Sequence, residues 1–369
     1  AHAFLLSGIR GVGKTTTARI IARGLNCTGP DGQGGPTPEP CGACPSCRSI
    51  DEDRALDRNR VDVGMGARVV CDGAVGYAYA ERLEEAGISW LVYQDFFDNF
   101  SDNPLVGFRT FREAFFSNQD SPLFKKGIAS RLANQSLDGF REDVLAGRLP
   151  SVSWIVGPAD YSEHPGPSSP VQGAWYVQQV LEALTENPEV FSKTVLLVTF
   201  DENDGFFDHV PPPCAPSRRD DGVLMGASTV DDAGERHDDT LTEPLGGHPH
   251  GPGVRVPMWI VSPWSRGGFV CSETFDHTSI LRFLEARFGV KEPNISPYRR
   301  AMCGDLLSAF DFVTPNDGEL PVLPGLSQEE ADTIRAEQEL LAQVVVPEGG
   351  SGSLPQQETG TRPSRALPY

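Results

Sequence analysis

Hydrophobic positions in this sequence fall into short blocks of two kinds. Apolar runs bounded by turn residues occur at 3–7, 89–93, 151–156, 194–200 and 257–262, and each predicts a strand. Residues 14–26 read as a helix with Ile20, Ile21 and Leu25 on one face. Helices are also predicted at 79–86, 108–116, 137–146 and 278–288, and an amphipathic one at 173–184. Proline and glycine dominate 28–42, and residues 211–254 form a long loop rich in Pro, Gly, Asp and His. Alternating strands and helices predict the α/β class.

The pattern breaks once. Over 54–76 no period is visible, and Gly64, Gly66, Gly73 and Gly76 interrupt the segment. A join between two unrelated pieces is expected there. The domain reading is 1–60, a junction at 61–76, a large domain at 77–346, and a Gly/Ser/Pro/Gln-rich extended tail at 347–369.

Composition narrows the function classes. Of 369 residues, 39% are hydrophobic and 22% charged, which is ordinary for a soluble globular chain. The net charge of −20 disfavours non-specific binding to nucleic acid or an anionic membrane, because the overall field repels polyanions. Apolar runs such as 195–200 are too short to cross a bilayer, so no transmembrane segment is expected. The chain starts Ala1-His2-Ala3-Phe4 with neither a Met nor a signal-peptide pattern, and reads as a fragment or processed product.

Two motifs stand near the start. Gly8-Ile9-Arg10-Gly11-Val12-Gly13-Lys14-Thr15 fits the P-loop pattern between a strand and a helix. Its glycines let backbone N–H groups wrap a phosphate at the positive end of the helix. Lys14 would reach the outer phosphates and Thr15 would hold Mg²⁺, with Thr16 beside them, so ATP with Mg²⁺ is the expected ligand. Cys27, Cys41, Cys44 and Cys47 follow, and the C-x2-C-x2-C spacing of the last three reads as zinc ligation rather than a disulfide framework. Residues 4–53, with Gly-Val-Gly-Lys-Thr-Thr-Thr-Ala-Arg and Pro-Glu-Pro-Cys-Gly-Ala-Cys-Pro-Ser-Cys-Arg, resemble the beginning of the gamma/tau clamp-loader subunit of bacterial DNA polymerase III. That resemblance implies structural zinc on the four cysteines, with clamp-loader subunits or DNA as partners. The acidic Walker B strand, sensors and arginine finger of that family do not follow in order. Residues 195–202 imitate a Walker B strand but lie far downstream.

The larger piece carries different chemistry. Asp201 and Glu202 directly follow the apolar run at 194–200. Ligand sites in open α/β sheets collect at carboxyl ends of strands, and adjacent carboxylates offer hard oxygens to a divalent cation. Taken alone, such a pair reads as solvated surface. Its surroundings favour the functional reading: Tyr161-Ser162-Glu163-His164-Pro165, the run 199–209 (Thr-Phe-Asp-Glu-Asn-Asp-Gly-Phe-Phe-Asp-His), Val261-Ser262-Pro263-Trp264-Ser265-Arg266-Gly267-Gly268, Phe275-Asp276-His277-Thr278-Ser279 and Glu292-Pro293-Asn294-Ile295-Ser296-Pro297. These segments, with 81–90 and 360–363, resemble the phosphocholine-preferring bacterial phospholipases C. That family includes related acid phosphatases and shares an alkaline-phosphatase-like three-layer sandwich.

The resemblance implies a phosphoesterase acting on phospholipids. Asp201 and Glu202 would be metal ligands, and His209 is a further candidate. His164 would contact the substrate phosphate or protonate the leaving group, a task suited to imidazole. His277, which also follows an Asp, ranks lower as an orienting or ligating group, and His248 and His250 read as surface. The family's Glu-Asn metal pair and its Thr or Ser nucleophile have no counterpart in the matching segments, so impaired activity is expected. Thr199 and Ser162 are not substitutes. The family implies export, whereas the N-terminal piece and its thiol cluster suit a reducing cytoplasm.

Overall fold

The computed structural model describes Cys41 and residues 77–99, 102–132, 136–203, 205, 208–218, 222–237, 248–265, 267, 269–315, 318 and 325–341. The elements predicted at 3–7 and 14–26, the P-loop residues Gly8, Gly11, Gly13, Lys14, Thr15 and Thr16, and Cys27, Cys44 and Cys47 lie outside the described residues. Cys41 is half-buried.

In chain order the described elements are α1 (Tyr79–Glu85), β1 (Trp90–Tyr93), α2 (Phe96–Asn99), α3 (Arg109–Ser117), α4 (Pro122–Gly127), α5 (Asp138–Leu145), β2 (Val152–Ile155), α6 (Pro170–Thr185), α7 (Pro188–Phe191), β3 (Leu196–Thr199), β4 (Met258–Val261), α8 (His277–Phe288), α9 (Pro297–Met302) and α10 (Gln328–Leu340). Every strand and helix predicted within this region is present, shifted by three residues at most. The mixture of helices and strands is that of an α/β protein.

The chain forms two compact units, one of residues 1–81 with 103–128 and one of 82–102 with 129–369. In the first, Asn103 organises a short segment. Its Oδ1 accepts from the Leu105 amide at 3.0 Å, and its Nδ2 donates to the Gly127 carbonyl at 2.7 Å. Helix α3 buries Phe111 and Ala114. Gly127 ends α4 against the Phe111 ring, where a Cβ would come within 2.7 Å of Cε1.

The second unit is built on two strand pairs and α6. Strands β1 and β2 are parallel, with Trp90 opposite Val152 and Tyr93 opposite Ile155. That pairing requires a crossover connection, which residues 94–151 supply. Strands β3 and β4 are antiparallel, with Leu196 opposite Val261 and Thr199 opposite Met258. Helix α6 presents Tyr176, Val180, Ala183 and Leu184 at helical spacing on one face. They pack with Tyr93, Phe140, Val144, Tyr161 and Phe191 into one core. Leu91 and Ile155 from the first pair, and Leu196 and Val261 from the second, pack against that same core. Burying aliphatic and aromatic side chains of this size contributes about 1.5–3 kcal/mol each. Helix α10 joins through Asp332, which accepts from Gln172 Nε2 at 2.9 Å.

Among its described residues, the loop predicted at 211–254 carries isolated bridges between Arg218 and Leu224 and between Arg236 and Pro249, and a 3-10 turn at Ala233–Glu235. Among the described residues, no helix is long and apolar enough to cross a membrane.

Candidate phosphoester site

Asp201 and Glu202 leave the end of β3 as exposed side chains. Their backbone is fixed from three directions. The Thr199 hydroxyl donates to the Pro257 carbonyl at 3.1 Å, tying the strand end to the segment that enters β4. The Glu202 amide donates to Asp201 Oδ1 at 3.0 Å. His277 Nε2 lies 3.0 Å from the Asp201 carbonyl oxygen, a bond that requires the proton on Nε2.

His277 is the first residue of α8, and its own position is set by the preceding cap. The Asp276 carboxylate accepts from the Ser279 amide at 3.2 Å and from the Thr278 hydroxyl at 2.7 Å, and the Asp276 amide donates to Ser279 Oγ at 3.1 Å. This reciprocal arrangement is a capping box. Asp276 also accepts from Arg299 Nη1 at 2.8 Å, while Arg299 Nε donates to Glu235 at 2.9 Å. Burial alone would raise the Asp276 carboxyl, but hydrogen bonds from Thr278 and Arg299, and the Arg299 charge, outweigh it and hold the group below the usual carboxylate range.

The two carboxylates line a broad open groove within the second unit, together with His277, Arg299, Trp259 and Phe269. Charged and apolar side chains therefore meet along one surface, an arrangement that suits a ligand with an ionic head and an apolar body.

The other described histidines are not among the residues lining this groove. His164 is exposed and folded onto its own loop, with Nδ1 3.0 Å from the Gly166 carbonyl. It is not among the residues lining the groove, and neither is His209. His209 Nδ1 is 3.6 Å from Asp208 Oδ1, and Asp208 is gripped by Arg255 at 2.7 and 2.8 Å. Those bonds hold the Asp208 carboxyl well below the usual range. His248 meets the Ser217 hydroxyl at 3.3 Å. His237 and His250 pack ring against ring with centroids 4.1 Å apart. Burial pushes the His237 ring toward its neutral form, and its histidine neighbours add to the effect. Among the described residues, no group of three or more His, Cys, Asp or Glu side chains is arranged to hold a metal ion.

The Asp276–His277–Arg299 arrangement is not visible in the sequence as a site. Its signals are the 275–279 segment, in which His277 ranks as a lower candidate, and Asp276 three residues before Ser279 at the head of an apolar helical run, which marks the cap. Nothing in the sequence reveals that His277 reaches Asp201, 76 positions away.

Comparisons with known proteins give two matches along the chain. Residues 41–291 match the family model described as "Phosphoesterase family", and residues 1–70 match "DNA polymerase III, delta subunit". The non-hemolytic phospholipase C of Pseudomonas aeruginosa is 58% identical over 291 residues, covering 79% of this chain and 40% of the relative. The non-hemolytic phospholipase C of Burkholderia pseudomallei is 46% identical over 337 residues, covering 84% and 46%. The DNA polymerase III subunit tau of Salmonella typhimurium is 46% identical over 68 residues, 18% of this chain and 10% of the relative. The chain thus spans less than half the length of the phospholipases C that it matches.

Proposed function

The chain belongs to the phosphoesterase family, and from that premise we propose that it carries the phosphodiester-hydrolase site of a phospholipase C, directed at phosphatidylcholine-like phospholipids. The observation that carries this reading is the Asp201–Glu202 pair at the end of β3, exposed in a groove that also offers Trp259 and Phe269. Both residues lie inside the matched segment. The proposed fold is the alkaline-phosphatase-like sandwich, to which the two strand pairs and α6 contribute.

Two adjacent carboxylates fit a divalent cation as part of its oxygen shell. Such a cation would supply Lewis-acid polarisation of a phosphoryl oxygen. Asp201 Oδ1 is engaged with the Glu202 amide, so Asp201 Oδ2 and the Glu202 carboxylate are the oxygens to offer. His209 remains a further candidate ligand: only its Nδ1 faces Asp208, at 3.6 Å, which leaves Nε2 for a cation.

Turnover is proposed to be slow. The Thr199 and Ser162 hydroxyls donate to the Pro257 and Ala159 carbonyls, each at 3.1 Å, and neither is offered as a nucleophile. His164 remains a candidate for contacting the phosphate or protonating the leaving group only if its loop brings it to the groove. The test is hydrolysis of p-nitrophenyl phosphorylcholine with added divalent cations, beside Asp201→Asn. Slow, cation-dependent hydrolysis lost in the variant supports the reading. An equal rate in both proteins overturns it, and turnover comparable to that of a full-length relative contradicts the proposed impairment.

A second reading applies to the N-terminal piece, motivated by its matches to the delta-subunit model and to tau. There the P-loop would bind ATP with Mg²⁺ through Lys14 and Thr15, and Cys27, Cys41, Cys44 and Cys47 would hold zinc. Clamp-loader subunits or DNA would be partners under this reading alone. Saturable ATP binding lost in Lys14→Ala supports it. Absence of saturable binding marks the P-loop as a remnant of an unnatural join, for which a continuous transcript across residues 61–76 would be the counter-evidence.

A further inference from the structure

We propose that His277 is a positioning residue for the carboxylate pair: its imidazole holds the Asp201–Glu202 peptide where both side chains line the groove. The inference rests on the proposed site for its consequence, but its geometry stands without it. Thr199 is the last residue of β3 paired with β4, so the ladder no longer constrains the chain at Asp201. The Nε2–O contact of 3.0 Å then ties the Asp201 carbonyl to α8, a part of the chain 76 positions away.

The anchor at the other end is held by its own hydrogen bonds and ion pairs. Asp276 caps α8 through the Ser279 amide, and its carboxylate is nearly buried against Arg299 at 2.8 Å. Arg299 is held in turn by Glu235. A ring on the first residue of a helix fixed in this way can set the place of the peptide that follows the strand end. The Glu202 amide bond to Asp201 Oδ1 then ties the Asp201 carboxylate to that same peptide, next to which the Glu202 side chain leaves the chain. His277 therefore acts through the Asp201 backbone rather than on substrate. Groups placed behind metal ligands typically change metal affinity by about 10–100-fold when removed.

The test uses the full chain with His277→Gln, which keeps an N–H donor, and with His277→Leu and His277→Ala, which do not. His277→Leu keeps bulk, so lost packing is not mistaken for a lost hydrogen bond. Amide hydrogen exchange over residues 200–203 is expected to quicken by about tenfold or more in the Leu and Ala variants and to return close to wild type in the Gln variant, with α6 unchanged. Mn²⁺ affinity is expected to fall about tenfold or more in the same two variants, with recovery in His277→Gln. Unchanged exchange at 200–203 in His277→Leu overturns the proposal. If Asp201→Asn leaves Mn²⁺ binding unchanged, the metal-site reading fails separately, and the exchange result still decides the role of His277.

Discussion

Arg300 grips Glu285 through two parallel hydrogen bonds, Nη1 to Oε2 at 2.8 Å and Nη2 to Oε1 at 2.7 Å. Glu285 lies in the last turn of α8 with a nearly buried carboxylate, and Arg300 lies in α9. The Glu292 amide also donates to Glu285 at 2.6 Å, and Arg82 pairs with Glu292 at 2.8 Å. The Glu292–Pro297 segment is thus a charged bracket on α8, the helix that carries His277. Glu285→Gln should destabilise the chain by about 2 kcal/mol, below the 3–5 kcal/mol of a fully buried broken pair because Arg300 is partly exposed. Urea unfolding checks this, and a change below about 0.5 kcal/mol, the size of an ordinary surface substitution, contradicts it.

The same carboxylates make stability fall in acid. Arg300's hydrogen bonds are the largest influence holding Glu285 down to about 2. Asp276 is also lowered, against the opposing effect of its burial. In the unfolded chain these groups ionise near about 4.3 and 3.9. A depressed carboxylate contributes its full stabilisation above the unfolded value and loses it as pH falls toward the folded one. The urea midpoint should therefore be level from pH 7 to about 5 and drop steadily toward pH 3. Glu285→Gln should flatten that drop, and an equally steep fall in the variant would count against the assignment.

Within the core, the Tyr93 hydroxyl donates to Asp143 Oδ2 at 2.9 Å. Burial, reinforced by this bond, pushes the Tyr93 phenol well above its ordinary range, so it remains a donor at every working pH. Asp143 keeps Arg131 and Arg148 as further partners. Tyr93→Phe should therefore cost about 1–2 kcal/mol, toward the low end for a hydrogen bond to a charged group. Thermal unfolding reads the difference, and a stabilised variant would contradict the account.

Gly173 on α6 faces the loop that carries His164. A Cβ there would meet Glu163 Cγ at 2.0 Å, and Glu163 itself has a φ of 66°. Gly173→Ala should destabilise by about 1–3 kcal/mol through overpacking. Glu163→Gly removes both the clash and the left-handed strain, so the double variant should recover much of the loss. A double-mutant cycle measures this, and simple additivity would show that the two residues do not interact.

The strands at 90–93, 152–155, 196–199 and 258–261 were legible because each is a compact apolar run, and α6 because its buried positions repeat at helical spacing. Helices α4, α7 and α9 were not. Each is at most six residues long and opens with a proline, which reads as a breaker. Ser121, Asn187 and Ser296 cap them and reveal, once the structure is known, that the proline stands at the first helical position. Helix α10 carried a usable signal, Ser327 followed three residues later by Glu330, which forms a capping box. Asp201 and Glu202 were legible as carboxylates at a strand end. The bond from His277 was not, since local pattern carries no information on a contact between distant segments. Pairing was equally hidden: one pair is parallel and the other antiparallel, though all four runs look alike in sequence.

The most direct test of the central claim is titration of the purified chain with Mn²⁺, beside Asp201→Asn and Glu202→Gln. The account predicts saturable binding to wild type that weakens by at least about tenfold in each variant, as loss of a ligand oxygen requires. Binding of equal strength in all three proteins would contradict the assignment of Asp201 and Glu202 as the cation-holding pair of a phosphoester site.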